Sequence, residues 1–243
     1  VLRTPNIDAI ADAGVNYDRF YVASPVCMPN RASLMTCRMP SSHGVRSLGI
    51  PLSHDNVTFV ELMRAAGYDT ALIGKSHLQN VTDWPDKLDP PVQREGFEAP
   101  PDHLSVAVRS DLDNETYQYE REAFYSDETA EVPLPFYGFD DYTAVTRHGF
   151  NTGGNHARHV RASAPGAFAL RSRENQFPHD YSCPQAIRTK VPEEHYSTSY
   201  IADRTCEFLE TRRGNPKPFF LMVSFPDPHH PFTPPGRYWD MYR

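Results

Sequence analysis

Cys27 and Arg31 are the residues of this chain whose types and spacing most directly suggest chemistry. Prolines at positions 25 and 29 disfavour a regular helix before Cys27, whereas residues 32–36 can be helical after it. Cys27 is therefore predicted at a helix N-terminus, where free backbone N–H groups and the helix dipole favour an anion. Arg31, four residues later, can project from the same face and bring a forked cation to that anion. The combination predicts a site for a tetrahedral oxyanion.

Three more polar residues follow segments that are predicted to be strands. Lys75 and His77 come after residues 68–74, and because they are two apart in an extended chain they lie on the same side of it. His229 follows the most apolar segment, residues 219–225, and prolines on both sides stiffen its loop. We expect these side chains to reach the site of Cys27 from separate strand ends.

The segment Cys27-Met28-Pro29-Asn30-Arg31 resembles the Cys-x-Pro-x-Arg signature of type I sulfatases, members of the alkaline phosphatase superfamily. Three neighbouring segments resemble other parts of that family's pattern, in the right order and with roughly the right spacing. They are Thr4-Pro5-Asn6-Ile7-Asp8, Gly74-Lys75-Ser76-His77-Leu78 and Pro228-His229-His230-Pro231. The resemblance covers most of the chain, and it identifies residues 1–243 as part of a sulfatase catalytic domain that is incomplete at both ends.

The resemblance implies that an external formylglycine-generating enzyme oxidises Cys27 to formylglycine, whose hydrated aldehyde is the nucleophile. It implies that Arg31 anchors the nucleophile and the sulfate oxygens, and that Lys75 and His77 bind sulfate and polarise the leaving group. His229 would contact the leaving group or the rest of the substrate. Outside these motifs, His43 is a further candidate for the pocket wall, and Cys37 stands where the family usually has glycine.

The resemblance also implies a divalent cation, Ca²⁺ with Mg²⁺ or Mn²⁺ as alternatives, which would act as a Lewis acid on a sulfate oxygen and on the nucleophile. Modified Cys27 is the one metal ligand of the family that maps onto this sequence, since the acidic residues that complete the family's metal site match none of its positions. The implied substrate is a sulfated small molecule or a carbohydrate.

Composition and charge narrow the classes of partner. The 243 residues are 39% hydrophobic, as is usual for a globular protein with a sizeable core. A net charge of −7 argues against nucleic acid or an anionic membrane as the main partner. No apolar run approaches the roughly 18–20 residues of a membrane span. The sequence favours a cytoplasmic location without fixing the compartment, and it does not give the oligomeric state.

Hydrophobic periodicity predicts an α/β fold with a mostly parallel sheet sandwiched by helices. Helices are expected over residues 5–13, 58–66 and 196–213, and strands over 15–22, 68–74 and 219–225. Residues 83–192 are rich in Pro, Gly, His and charge, and are interpreted as an irregular insertion that shapes the substrate entrance. Within this region, residues 148–156 resemble a segment of bacterial sulfatases and phosphonate monoester hydrolases.

Three functions therefore compete at this point. A sulfatase is the first, and the predicted cationic pair of Lys75 and His77 favours it because a sulfate ester is an anion. The second is a phosphonate or phosphate monoester hydrolase on the same fold. The third is an inactive relative that folds or binds without turnover.

Overall fold

A three-stranded parallel sheet forms the centre of the protein in a computed structural model that describes residues 2–81, 95–96 and 115–242. The strands are β1 (Asp69–Gly74), β2 (Asp141–Ala144) and β3 (Phe219–Ser224), in the spatial order β2-β1-β3. Gly74 is paired with Ala144 on one side and with Ser224 on the other. The carboxyl ends of all three strands therefore meet at one edge of the sheet, as expected of a parallel α/β fold.

Seven α-helices accompany these strands in the described part of the chain. The predicted helix begins at Cys27, as expected, and includes Pro29 in its first turn. The helices expected near residues 5–13, 58–66 and 196–213 are present within one or two residues of those bounds. The helices are α1 (Pro5–Asp12), α2 (Cys27–Thr36), α3 (Pro40–His43), α4 (Phe59–Ala65), α5 (Gly154–Ser163), α6 (Pro165–Ala169) and α7 (Ser197–Arg212). None of the described helices is long and apolar enough to cross a membrane.

The alternation of side chains along β1 builds a core on each face of the sheet. Leu72 packs on one face in a cluster with residues of α2, including Met28 and Ala32. Its neighbours Ala71 and Ile73 pack on the other face with residues of α7. Because both faces are covered by helices, β1 reads as a continuous apolar run, and the prediction of a sheet sandwiched by helices is confirmed.

The prediction of a strand over residues 15–22 is wrong. No regular element forms there, and its apolar side chains, such as Phe20 and Tyr21, are largely exposed. Helix α1 just before it forms as expected but buries none of its residues, with Ile7 67% and Ile10 74% exposed. An alternating pattern becomes a strand only when another strand pairs with it, and none of the described residues does so here.

Where the structure describes residues 83–192, they are not irregular throughout. This interval contains β2, α5 and α6, and β2 is a full member of the central sheet. Its four residues alternate between exposed and buried positions, so no apolar run marks them. Residues 82–94 and 97–114 lie outside the described residues, and the role of the interval at the substrate entrance stays a prediction.

Candidate active site

Cys27 is the first residue of α2 and is half-buried. Val26 before it is extended. The N–H of Asn30 donates to the carbonyl of Val26 at 3.0 Å, and this bond forms the first turn of the helix. The backbone N–H groups of Cys27 and Met28 have no partner within the helix, and the positive end of the helix dipole at this turn favours a negative charge. The predicted placement of Cys27 at a helix start is confirmed.

Arg31 ties α2 to the carboxyl edge of the sheet. Its Nη1 donates to the carbonyl of Lys75 at 2.9 Å, to the carbonyl of Ser76 at 3.3 Å and to Ser224 Oγ at 3.2 Å. Burial lowers the pKa of Arg31, while Glu120 and Cys27 act in the opposite direction. An arginine loses its proton only far above neutral pH, so the guanidinium remains a fixed cation between the helix and two strand ends.

Lys75 follows β1 and is only 2% exposed. Its backbone N–H continues the sheet by donating to the carbonyl of Ser224 at 2.9 Å, and its ammonium nitrogen contacts Nε2 of His148. Burial lowers its pKa to about 8, with the charge of Arg31 adding to the effect and Cys27 and Glu120 opposing it. Lys75 is therefore an ammonium at neutral pH, but one that gives up a proton far more easily than a surface lysine.

His77 is buried and has a positive φ of 57°, which is uncommon for a residue with a Cβ atom. Its Nδ1 has no hydrogen-bond partner among the described residues. Burial lowers its pKa to about 2, helped by the charges of Lys75 and Arg31, so the imidazole is neutral. In this structure the pair is therefore one cation and one neutral ring, because Lys75 and Arg31 already place two positive charges near His77. The sulfate-binding role expected of the pair stays a prediction. A neutral ring with an unpartnered nitrogen can instead hydrogen-bond to a bound group.

Glu120 holds the turn of His77 in place, and sequence reasoning missed it. Its carboxyl group is fully buried and accepts the backbone N–H groups of His77 and Gln79, both at 2.7 Å. Burial raises its pKa, while these donors and the charges of Lys75 and Arg31 oppose the shift. Glu120 is thus the acidic counterpart of the two buried cations. It lies in the interval that looked irregular, where no local pattern singled it out.

His229 lies in the loop after β3, as predicted, and its ring stacks on that of His148. The ring centroids are 3.5 Å apart and the planes differ by 10°. Nδ1 of His229 donates to the carbonyl of His230 at 2.6 Å, which leaves Nε2 as an acceptor in the neutral ring. Burial lowers the pKa of His229, and Lys75 and Arg31 contribute to the same effect.

His148 is a second residue that was not identified as part of the site from the sequence. It comes four residues after β2, and its ring lies 6.5 Å from that of His77, centroid to centroid, in an edge-on arrangement. The structure thus brings His148 together with Lys75, His77 and His229. The segment of residues 148–156 was noticed for its resemblance to a segment of bacterial sulfatases and phosphonate monoester hydrolases, but without β2 its position at the edge of the sheet could not be inferred.

The candidate role of His43 in the pocket is not supported. His43 is buried behind α2, where its Nδ1 accepts the N–H of Val45 at 3.1 Å. Its Nε2 therefore carries the proton and donates to Ser33 Oγ at 2.9 Å. Both ring nitrogens are occupied by the protein itself, which makes His43 a support for the helix of Cys27.

Cys37 closes α2 in the left-handed conformation, with φ at 55°. Glycine adopts this conformation without a steric penalty, which explains why the family pattern has glycine there. The thiol of Cys37 is exposed and lies 3.9 Å from the carbonyl oxygen of Leu34.

The described residues do not by themselves form a metal site. Within residues 2–81, 95–96 and 115–242, no three His, Cys, Asp or Glu side chains are grouped so that they could hold a metal ion. Cys27 is the single expected ligand that is present, and its nearest charged neighbours include the cations Arg31 and Lys75.

Comparison with known proteins identifies the family of the chain. A family model described as Sulfatase matches residues 1–243. The arylsulfatase of Clostridium perfringens is 26% identical over 244 residues, covering 100% of this chain and 41% of that enzyme. The steryl-sulfatase of Homo sapiens is 42% identical over 90 residues, or 32% of this chain and 15% of that protein. The chain thus spans well under half the length of these relatives.

A similar fold is found in the crystal structure of a phosphonate monoester hydrolase of Agrobacterium radiobacter. The TM-score is 0.63, and the match covers 99% of this chain and 39% of that one at 22% sequence identity. At this level of identity the similarity establishes the fold alone.

Proposed function

The chain belongs to the sulfatase family, and on that premise we propose that the protein is a sulfuric ester hydrolase whose nucleophile is a formylglycine made from Cys27. The observation that carries the proposal is a cluster of side chains at the strand edge next to the helix that begins at Cys27. Arg31 of that helix donates to the end of β1, where Lys75 and His77 follow, and His229 joins them from the end of β3 through His148. These elements are far apart in sequence, so their meeting at one strand edge favours a common chemical purpose.

Binding a sulfate ester requires positive charge at the site, because the substrate is an anion. The buried guanidinium of Arg31 and the buried ammonium of Lys75 provide two such charges, and the first turn of α2 adds backbone donors. The neutral His77 has an unpartnered Nδ1 that can hydrogen-bond to a sulfate oxygen or to the nucleophile. These groups keep their places through contacts with the backbone and with Glu120, so little reorganisation is needed on binding.

The formylglycine supplies, as its hydrate, one hydroxyl that attacks sulfur in line with the leaving oxygen and a second hydroxyl whose deprotonation later releases sulfate. Side chains of the protein itself donate and accept the protons. Lys75, with its pKa near 8, is an ammonium that can donate to the departing alcohol or phenol oxygen when the S–O bond breaks. A neutral imidazole, His77 or His229, is available to accept a proton from a hydroxyl.

The proposal extends to cofactor and partners. Ca²⁺, with Mg²⁺ or Mn²⁺ as alternatives, would be held in part by the modified Cys27 and would supply Lewis-acid activation. The modification itself requires a formylglycine-generating enzyme as a partner. A sulfated small molecule or carbohydrate is the proposed substrate, and the name of the human steryl-sulfatase is consistent with a small sulfated molecule.

Parallel kinetics on an aryl sulfate and an aryl phosphonate test the proposal. The protein is produced with a formylglycine-generating enzyme, its conversion is checked by intact mass, and both esters are assayed with Ca²⁺ or Mn²⁺, with Cys27→Ala as the control. We expect the sulfate to have the higher kcat/KM. A higher kcat/KM for the phosphonate would favour the monoester hydrolase, and no turnover of either ester by converted protein would favour an inactive relative.

A further inference from the structure

His148 lies between two residues of the proposed reaction. Its Nε2 contacts the ammonium nitrogen of Lys75, and the face of its ring is stacked on His229 at 3.5 Å. The ring is partly shielded from solvent, as is that of His229. One side chain thus touches a cation at its edge and an imidazole at its face.

The contact with Lys75 determines the protonation pattern of His148. An ammonium group has donors but no acceptor, so Nε2 of His148 must be unprotonated to receive its hydrogen, and the ring proton is then on Nδ1. Burial lowers the pKa of His148 to about 3, and the charge of Lys75 adds to this effect, which keeps the ring neutral. Since the ammonium of Lys75 is buried, an acceptor at its head group fixes the direction of the donors that remain.

The backbone around His148 is fixed against the loop that carries His229. Gly149 has a positive φ of 53°, and a Cβ atom placed there would lie 2.9 Å from the carbonyl oxygen of Pro231 and 3.0 Å from Thr233 Oγ1. Arg147 on the other side is also left-handed, with φ at 59°. A close approach of two loops on one flank of the histidine and a left-handed residue on the other indicate a preset position rather than a chance contact on the surface.

From these contacts we infer that His148 is a positioning residue for the proposed sulfatase reaction, which orients the ammonium of Lys75 towards the departing oxygen and aligns the ring of His229 beside it. The inference rests on the proposed function for the identity of the reaction, but the hydrogen bond to Lys75 is a property of the site whichever ester is cleaved. It adds to the site a residue that acts through Lys75 and does not itself contact the reacting atoms.

Two substitutions separate the hydrogen bond from the stacking. His148→Phe keeps a flat ring against His229 but removes the acceptor for Lys75, whereas His148→Gln keeps an acceptor and removes the ring. We expect kcat to fall about tenfold to a hundredfold in His148→Phe, with KM changed by less than about threefold. His148→Gln should recover the part of that loss that the hydrogen bond to Lys75 accounts for, and the deficit that remains measures the alignment of His229. His159→Phe, at an exposed histidine of α5, is the matched control and should have the parent kcat.

A double-mutant cycle with Lys75→Ala decides whether His148 acts through Lys75. If it does, His148→Phe causes no further loss of kcat once Lys75 is alanine. An equal loss in both backgrounds, or a parent-like kcat for His148→Phe, would overturn the inference. The cycle is run on both the aryl sulfate and the aryl phosphonate. A non-additive cycle on the phosphonate alone supports the role of His148 and counts against the sulfatase proposal, so the two failures are distinguishable.

Discussion

Nη1 of Arg31 lies 2.9 Å from the carbonyl oxygen of Lys75, which places a residue of α2 in direct contact with the end of β1. The same nitrogen is 3.2 Å from Ser224 Oγ at the end of β3. Cys27, one turn before Arg31, is therefore held at a set position relative to the strand ends that carry the other site residues. Any change that loosens this bridge should alter the reaction and not only the stability of the helix.

Substituting Arg31 tests this bridge. Arg31→Lys keeps the charge, but the lysine side chain is one bond shorter than that of arginine up to Nη1, so its ammonium does not reach the three acceptors of Nη1. We expect kcat/KM for the aryl sulfate to fall at least about tenfold and the free energy of unfolding to fall by about 1–3 kcal/mol. Arg38→Lys, at an exposed position after the same helix, is the control. Parent-like kinetics for Arg31→Lys would contradict the bridge.

Gly74 tests how closely β1 and β3 must approach beside Lys75. It has φ at +118°, and a Cβ atom there would lie 1.9 Å from the carbonyl oxygen of Ser224. Gly67 also has a positive φ, +92°, but a Cβ atom would meet nothing within 4 Å. Gly67→Ala should cost about 1–2 kcal/mol of unfolding free energy, and Gly74→Ala at least about 2 kcal/mol more. Urea unfolding of both variants measures the difference, and equal costs would contradict the close approach.

The parts of the fold that were predictable are those with strong local patterns. Local sequence determines these elements with little help from the rest of the chain. Examples are the apolar run of β1, the periodicity of α4 and the prolines near Cys27 at the start of α2. The four residues of β2 carry no such signal, because they become a strand only by pairing with β1. The pattern of residues 15–22 shows the reverse case, in which a strand-like sequence has no described partner.

The site was predictable to the extent that motifs mark it. The residues marked by motifs lie in or after the elements expected for them, in the helix that begins at Cys27 or after a strand. They are Cys27, Arg31, Lys75, His77 and His229. Glu120 and His148 could not be found in this way, since their positions depend on the path of the chain between β1 and β3. The neutrality of His77 was also beyond the sequence, because it results from burial next to Lys75 and Arg31.

The pKa of Lys75 predicts the alkaline limb of the pH profile. Burial lowers this pKa to about 8, so the ammonium is lost as the pH rises through that value. If Lys75 protonates the leaving oxygen, kcat/KM should decline above about pH 8. Lys75→Arg should remove this limb while lowering the maximum, because a guanidinium keeps its proton. Lys190→Arg, at an exposed lysine, is the control. A limb that persists near pH 8 in Lys75→Arg would assign it to another group.

His156 predicts how stability changes in acid. Its Nε2 donates to the carbonyl of His195 at 3.1 Å, and burial lowers its pKa to about 4. In the unfolded chain the pKa of this histidine is about 6.5. Between pH 6.5 and pH 4, about the pKa of the folded state, the unfolded chain therefore takes up a proton at this ring and the folded protein does not. This residue should therefore reduce the free energy of unfolding by about 1.4 kcal/mol per pH unit as the pH falls through that window.

The acid dependence is measured by urea unfolding at pH 6 and at lower pH. His156→Gln keeps a donor for the carbonyl of His195 without a group that titrates, so its stability should fall less steeply with acid. His54→Gln, at an exposed histidine of another segment, should retain the parent slope. Equal slopes for the parent and His156→Gln would show that His156 does not contribute to acid unfolding.

The central claim is that a formylglycine made from Cys27 is the nucleophile, and the most direct test relates conversion to turnover. Mass spectrometry of the peptide containing residue 27 measures the converted fraction, since conversion lowers the mass by about 18 Da. Preparations with different converted fractions are then assayed on one aryl sulfate. If formylglycine is the nucleophile, kcat should be proportional to the converted fraction, and Cys27→Ala should show no turnover. Turnover that is independent of conversion, or that persists in Cys27→Ala, would contradict it.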